Sequence, residues 1–355
     1  MSTRATSALL TAGLTLGASL AEAKPGTVRL VRVREPRQGA FSLLMPVGWQ
    51  LSGGMFWVHP EQAGGTANSI ETKCDLTVAA DPAGTVALRV YPDVYRADTA
   101  KMPAGAMFPY GSNYNGMEAA PVPSAADYIV RGLQAVRPKA TELRVVRADP
   151  MSAVAAAHAR HAAQVTPMLR PRFDAALVTV EYTEGGVRYR EQAFTVIEDR
   201  GAMVGGQWAN RQTLSARAPV DRYAAWAPIF GLMIRSIQLD PRWLRQELVA
   251  QAERAGVARQ VQADVARLER EITQHRAETN AEINNDGFLT LTGQEEFVNP
   301  YDGETIVSTD AYRHQWINGS GELILSDDAD YDPNLDEGVK RSDFRRMKVR
   351  PRGPR

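Results

Sequence analysis

The stretch from Asp240 to Ile283 sets the terms on which the rest of the chain can fold. Asp240 stands where an N-cap belongs, and Pro241 suits the first helical position, where a missing N–H costs nothing. Glu247 follows in the second turn, near the positive end of the dipole. Val257, Val261, Val265, Leu268 and Ile272 recur at spacings of four and three, which is one face of an α-helix. Arg267–Glu271 and Arg270–Gln274 lie one turn apart on other faces. The spacing therefore predicts a connector helix over 240–283 with coiled-coil character. Everything before it reads as strands with a few short helices, and everything after it as a small polar β-unit over 284–334 and a charged tail over 335–355.

In the front portion, Val28 to Val33 alternates apolar residues with Arg, as a half-buried strand does. Phe41 to Met45 is a second strand stopped by Pro46, Gly48-Trp49 opens a third, and Met55 to His59 is a short one ended by Pro60. Ile70 to Ala79 and Val86 to Tyr91 flank the turn Asp81-Pro82-Ala83-Gly84. Ser124 caps a helix from Ala125 to Val136, Leu143 to Arg147 is a strand, and Pro150 to Ala163 an Ala-rich helix. Arg172 to Tyr182 and Val187 to Glu198 flank Glu184-Gly185-Gly186, a hairpin turn, and Met203 to Arg217 continues the sheet. Pro219 to Ile234 is amphipathic, with Trp226, Ile229, Phe230 and Met233 at helical spacing, so these aromatics read as core.

Between Arg96 and Pro123 the pattern vanishes, and Met102, Met107, Phe108, Tyr110, Tyr114 and Met117 are scattered among glycines. A loop of that length in a compact domain is functional or mobile. Phe108, Tyr110 and Tyr114 are its candidate contact residues: exposed, they form a binding lip, and turned inward they cover core edges. Past the helix, short strands are separated by Asp302-Gly303 and Asn318-Gly319-Ser320-Gly321 turns, and Tyr312 and Trp316 are secondary candidates. A unit this small is near the lower limit for folding alone, so it is expected to pack on the helix, the main domain or a partner.

The chain of 355 residues has room for two domains, carries zero formal net charge and has no long apolar span. Neither nucleic acid as a partner nor a transmembrane span follows from that. Arg4, the apolar run Ala8 to Leu20 and Ala21-Glu22-Ala23 fit a secretory signal over 1–23. Cys74 is the sole cysteine, so no internal disulfide can form, and export without disulfides points to a bacterial periplasm or to secretion.

Phe41-Ser42-Leu43-Leu44-Met45-Pro46 followed by Gly48-Trp49, together with Ile234-Arg235-Ser236-Ile237 and Trp243, resembles the opening and close of PsbP-like domains over about residues 28–243. The resemblance implies an α+β fold, an antiparallel sheet flanked by helices as an α/β/α sandwich, within a 24–239 domain. It also implies a binding or assembly role, and it transfers no binding residue.

No Gly-x-Ser-x-Gly elbow, P-loop or dinucleotide-binding glycine pattern is present, and Cys74 has no neighbouring His. A hydrolase or metal-dependent enzyme would have to assemble its site from distant residues among His59, His158, His161, His275 and His314. His158-Ala159-Arg160-His161 lacks the Glu of a zincin helix, and Glu271, His275, Glu278 and Glu282 read as a solvated face. Asp328, Asp330 and Asp332 resemble a calcium loop, although Pro333 stands where such a loop needs Gly and the acidic twelfth position is missing. The basic tail, with Arg345, Arg346, Lys348 and Arg350, offers contact to an anionic envelope polymer, lipid headgroups or nucleic acid; the simpler reading is that tail and acidic run neutralise each other or stay disordered. The expectation from sequence is an exported non-catalytic binding protein whose partner is an envelope protein or polymer, with no cofactor unless calcium.

Overall fold

Alternating side chains build most of the described structure. The computed structural model describes residues 26–102, 105–165, 168–256 and 294–350. In chain order the first elements are β1 (Thr27–Arg34), β2 (Phe41–Pro46), β3 (Gln50–Phe56), the one-turn helix α1 (Pro60–Ala63), β4 (Lys73–Ala79), β5 (Ala87–Val90) and β6 (Tyr95–Ala97). Then come β7 (Asn113–Tyr114), β8 (Met117–Ala119), α2 (Ala125–Val136), β9 (Thr141–Pro150), α3 (Ser152–Val165), β10 (Arg172–Glu184), β11 (Val187–Asp199) and β12 (Gln207–Pro219). The last are α4 (Val220–Arg235), β13 (Gln238–Leu239), α5 (Pro241–Arg254), β14 (Gln294–Val298), β15 (Thr305–Thr309), β16 (His314–Ile317), β17 (Leu323–Ser326), β18 (Arg345–Arg346) and β19 (Lys348–Val349).

A ten-stranded sheet runs β3-β4-β5-β12-β11-β10-β9, with β6, β7 and β8 attached beside β12. Its pairings are antiparallel except that of β6 with β8. The fold is α+β, with helices on both faces of this sheet. On one face α2 lays Ala125, Ile129 and Leu133, four residues apart, against Val178, Val180, Tyr182 and Ala193. Each of Ile129 and Leu133 contributes about 1.5–3 kcal/mol by that burial. On the other face α3 sets Met151 and Val154 against Leu177, Phe194 and Val196. Beyond α3 the main core lies where β4, β5 and β12 meet α4 and a second sheet, through Leu76, Leu88, Ile229, Phe230 and Met233. The α4 aromatics are core, as their spacing implies, and Trp226 packs on Trp49 with ring centroids 5.0 Å apart.

The second sheet has the order β13-β2-β1-β17-β16-β18. The C-terminal hairpin thus pairs directly with the first strand, Thr27 opposite Ser326 and Leu30 opposite Leu323. Residues 335–350, for which the sequence suggested disorder, run through β18 and β19, which pair with β16 and β14. The reason is apolar: Phe344 and Met347, which flank the exposed pair Arg345-Arg346, are buried, Phe344 against Trp316 and Ile324.

Both expected helix caps form. The Ser124 hydroxyl accepts from the Asp127 N–H, and the Asp240 carboxylate accepts from the N–H groups of Arg242 and Trp243. Glu247 does more than complement the dipole. It is buried and accepts from the Thr72 N–H at 3.0 Å and from Arg254 Nη2 at 2.7 Å, while Arg254 Nε donates to the Ile70 carbonyl. These bonds dock α5 on the entry to β4. The helix is shorter than the expected 240–283 connector: it stops at Arg254, Ala255 is its C-cap and Gly256 takes φ +72°, a backbone that ends a helix. Residues 257–283 lie outside the described residues, as does the segment 1–23.

Candidate functional site

The long loop after β6 is folded back on the sheet and tied at several points. Asp98 N donates to the Gly206 carbonyl at 2.8 Å, Tyr110 Oη donates to Asp98 Oδ1 at 2.7 Å, and Lys101 Nζ bridges to Asp199 Oδ2 at 3.0 Å. Gly206 is obligatory here, because its φ is +64° and an added Cβ would stand 2.2 Å from the Asp98 carbonyl oxygen. The β11–β12 turn and the loop therefore share one seam. Of the three aromatic candidates, Phe108 and Tyr114 meet edge to face at 4.9 Å, and Tyr114 leans on the small core of Ala67, Tyr95, Ala97 and Met117. Tyr110 stays 51 % exposed. Along the same seam Met107 is 76 % and Met203 88 % exposed, with Val204 beside Met203. Met107, Tyr110, Met203 and Val204 are thus exposed apolar side chains on two loops whose backbones are tied together by hydrogen bonds, and they are the candidate lip.

Beneath the seam is a charged network that sequence reading did not find. Tyr95 Oη donates to Glu71 Oε1 at 2.6 Å and accepts from Arg200 Nη2 at 3.0 Å and from Arg211 Nη2. Arg211 also reaches Glu71 Oε2 at 2.9 Å and Glu198 Oε2 at 2.8 Å, and Arg200 Nε donates to Glu198 Oε1 at 2.8 Å. Both guanidiniums lie over the Tyr95 ring, 4.8 Å from its centroid, with Lys73 Nζ at 5.1 Å. The network is built by an interruption in β12. Its register against β11 shifts between Phe194 and Val196, Gln212 adopts φ +52°, and β12 changes partner from β5 to β6. Asp93 and the fully buried Asn210 fill the gap, Asp93 Oδ1 accepting from Gln212 N and Asn210 Oδ1 from Val94 N. A bulge that re-aims a side chain in this way has one sequence trace: Asn210-Arg211-Gln212-Thr213 breaks the alternation of its strand.

Electrostatically the network holds shape. Burial pushes the Tyr95 hydroxyl up to about 12 against the pull of Arg211, so it remains protonated. Glu71 and Glu198 are also penalised by burial, but Arg211 leads the opposing causes and both end below the ordinary carboxylate value. Burial lowers Lys73, a residue 3 % exposed whose ammonium has no hydrogen-bond partner. Cys74 is raised to about 12 by burial, which leaves little thiolate at neutral pH.

The remaining candidates are dispersed. Trp316 is 7 % exposed, in a cluster with Ile324, Val339 and Phe344, and Tyr331 meets it edge to face. Tyr312 is half-buried against the main core. Asp328, Asp330 and Asp332 lie on an exposed loop, where Asp328 Oδ1 accepts from Asp330 N at 3.0 Å and Asp332 Oδ1 from Asn334 N at 2.9 Å. Those carboxylates shape turns. Among the described residues, no group of three or more His, Cys, Asp or Glu is placed to hold a metal ion. His158 and His161 stand on α3; burial lowers His158, whose ring packs on Phe173 at 5.5 Å. Glu271, His275, Glu278 and Glu282 lie outside the described residues. Among the described residues no helix is long and apolar enough to cross a membrane.

No protein-family model matches the chain, and no curated protein matches it. Among solved structures, the chain is similar to the cyanobacterial PsbP of Synechocystis sp., known from its solution structure, at 12 % identity. The similarity covers 60 % of this chain and 93 % of that one, with a TM-score of 0.26. At that TM-score the likeness carries no argument about function.

Proposed function

We propose that this chain is an exported, non-catalytic binding or assembly protein of the bacterial envelope, which engages a protein or polymer through the lip of Met107, Tyr110, Met203 and Val204. The observation that carries the reading is the exposure of two methionines from separate loops above a hydrogen-bonded seam. Unbranched Met and amphipathic Tyr adapt to a partner surface, and a pinned backbone loses little entropy on docking. Export rests on the Arg4 to Ala23 pattern.

The test is affinity capture from envelope extract with the native chain and with a Met107→Glu/Met203→Glu double variant. The native chain is expected to retain specific partners that the double variant loses, at equal thermal stability. Equal recovery by the two chains would remove the lip from the reading.

A further inference from the structure

On the face of the large sheet beside α2, directly opposed residues form a polar row across four strands: Ser52, Thr77, Arg89 and Ser215. Above this row is a cleft of about 450 Å³, within the size range of small-ligand sites. Arg37 and Arg89 give it two guanidiniums, Asp75 one carboxylate, Ser52 and Thr77 two hydroxyls, and Phe56 an aromatic wall. Gly53 allows the close approach of the strands. Its φ is +84°, and a Cβ there would stand 2.1 Å from the Asp75 carbonyl oxygen.

The two arginines are held and yet unspent. Arg89 lies over the Tyr91 ring at 4.7 Å, Tyr91 Oη and Ser215 Oγ are 3.2 Å apart, and Ser215 Oγ donates to the fully buried Glu191 at 2.7 Å. Arg137 clamps the other side of Glu191 with two bonds of 3.0 Å. Arg37 is set by buried Glu35, which accepts the N–H groups of Arg37, Gln38 and Met55 at 2.8–2.9 Å and so fastens this turn to β3. Despite that support, the Arg89 Nε is buried without a hydrogen-bond partner, and Arg89 Nη2 reaches Asp75 only at 3.4 Å. Among the described residues the Arg37 guanidinium makes no ion pair or hydrogen bond. Nor do the Ser52 and Thr77 hydroxyls.

We propose that this cleft binds a small hydroxylated carboxylate, in chemical class a sugar acid. The carboxylate takes the free edges of Arg37 and Arg89, where planar oxyanions fit two parallel N–H donors. Ser52, Thr77 and Asp75 exchange hydrogen bonds with the ligand hydroxyls, and its C–H face rests on Phe56. Two positive groups against one negative leave a single net charge, which suits a monoanion. A phosphate dianion would meet Asp75 at close range.

The experiment is a titration of the full chain with D-glucuronate, glucose and inorganic phosphate, followed by calorimetry and by amide chemical shifts. Saturable glucuronate binding is expected, with shifts at Ser52, Thr77 and Arg89, weakening on addition of salt and absent with glucose. Arg37→Ala, on an exposed side chain, is expected to weaken it about tenfold or more, and Thr77→Val about fivefold, without change in melting temperature. No saturable glucuronate binding would overturn the proposal, as would affinity indifferent to both substitutions, or phosphate bound more tightly than glucuronate.

Discussion

Glu191 shows how much one side chain can carry in this protein. It is 0 % exposed and receives Arg137 through two bonds, Ser215 Oγ at 2.7 Å and Tyr182 Oη at 2.8 Å. Burial alone would raise its pKa, but the hydrogen bonds from Arg137, Ser215 and Tyr182 outweigh that and hold it below the ordinary 4.5. Its stabilisation is therefore whole above about 4.5 and is lost as pH falls through the lower folded value. Glu191→Ala leaves the Arg137 guanidinium unpaired in the interior and should cost about 3–5 kcal/mol at pH 7. In urea denaturation the gap between native and variant chains should narrow as pH drops below about 4.5. A gap that stays constant to pH 3 would mean that the carboxylate charge is not what the pocket recognises. Nothing in the sequence marks Glu191, because its partners come from α2's C-cap, β10 and β12. Trp316 was unreadable for a related reason: its strand is covered on both faces, and an alternating pattern reports only one layer of cover.

At the scale of the element, local chemistry was legible and partner exchange was not. The caps at Ser124 and Asp240 and the turn at Glu184-Gly185-Gly186 formed as spacing implied, since each depends on neighbours within a few residues. The break in β12 depends on two different strands, β5 and β6, competing for one edge, and only its polar run hinted at it. Gln212 sits at the break with φ +52°, a region that costs a side chain least when there is none and most when it is β-branched. Gln212→Gly should leave stability within about 0.5 kcal/mol of native, whereas Gln212→Val should lose about 1–2 kcal/mol. Both remove the same amide, so the contrast in denaturation midpoints isolates the backbone. Equal midpoints would show that the bulge relaxes freely.

Over the whole molecule, the sheet shared by β1 and β17 joins residues far apart in sequence; Thr27 Oγ1 and Ser326 Oγ are 2.9 Å apart. Alternation marked β1 and a flanking turn marked β17, but neither could supply their pairing, which needs a register across most of the chain. Leu30 and Leu325 are both fully buried in the main core, so Leu30→Ala and Leu325→Ala should each cost about 2–5 kcal/mol. Hydrogen exchange should then find the amides of β1 and β17 opening together, with one protection free energy. Separate opening of β17, at a lower free energy than β1, would make the C-terminal hairpin a detachable piece.

That seam also has a consequence in time. A ribosome delivers β1 and its neighbour β2 early, but β17, the partner on the other edge of β1, only after nearly three hundred further residues. Until then the edge of β1 turned away from β2 has no strand to pair with. The growing polypeptide must be sheltered or must stay loose throughout its synthesis, and a nascent chain stopped short of Leu323 should be cut by protease within β1, where the finished molecule resists.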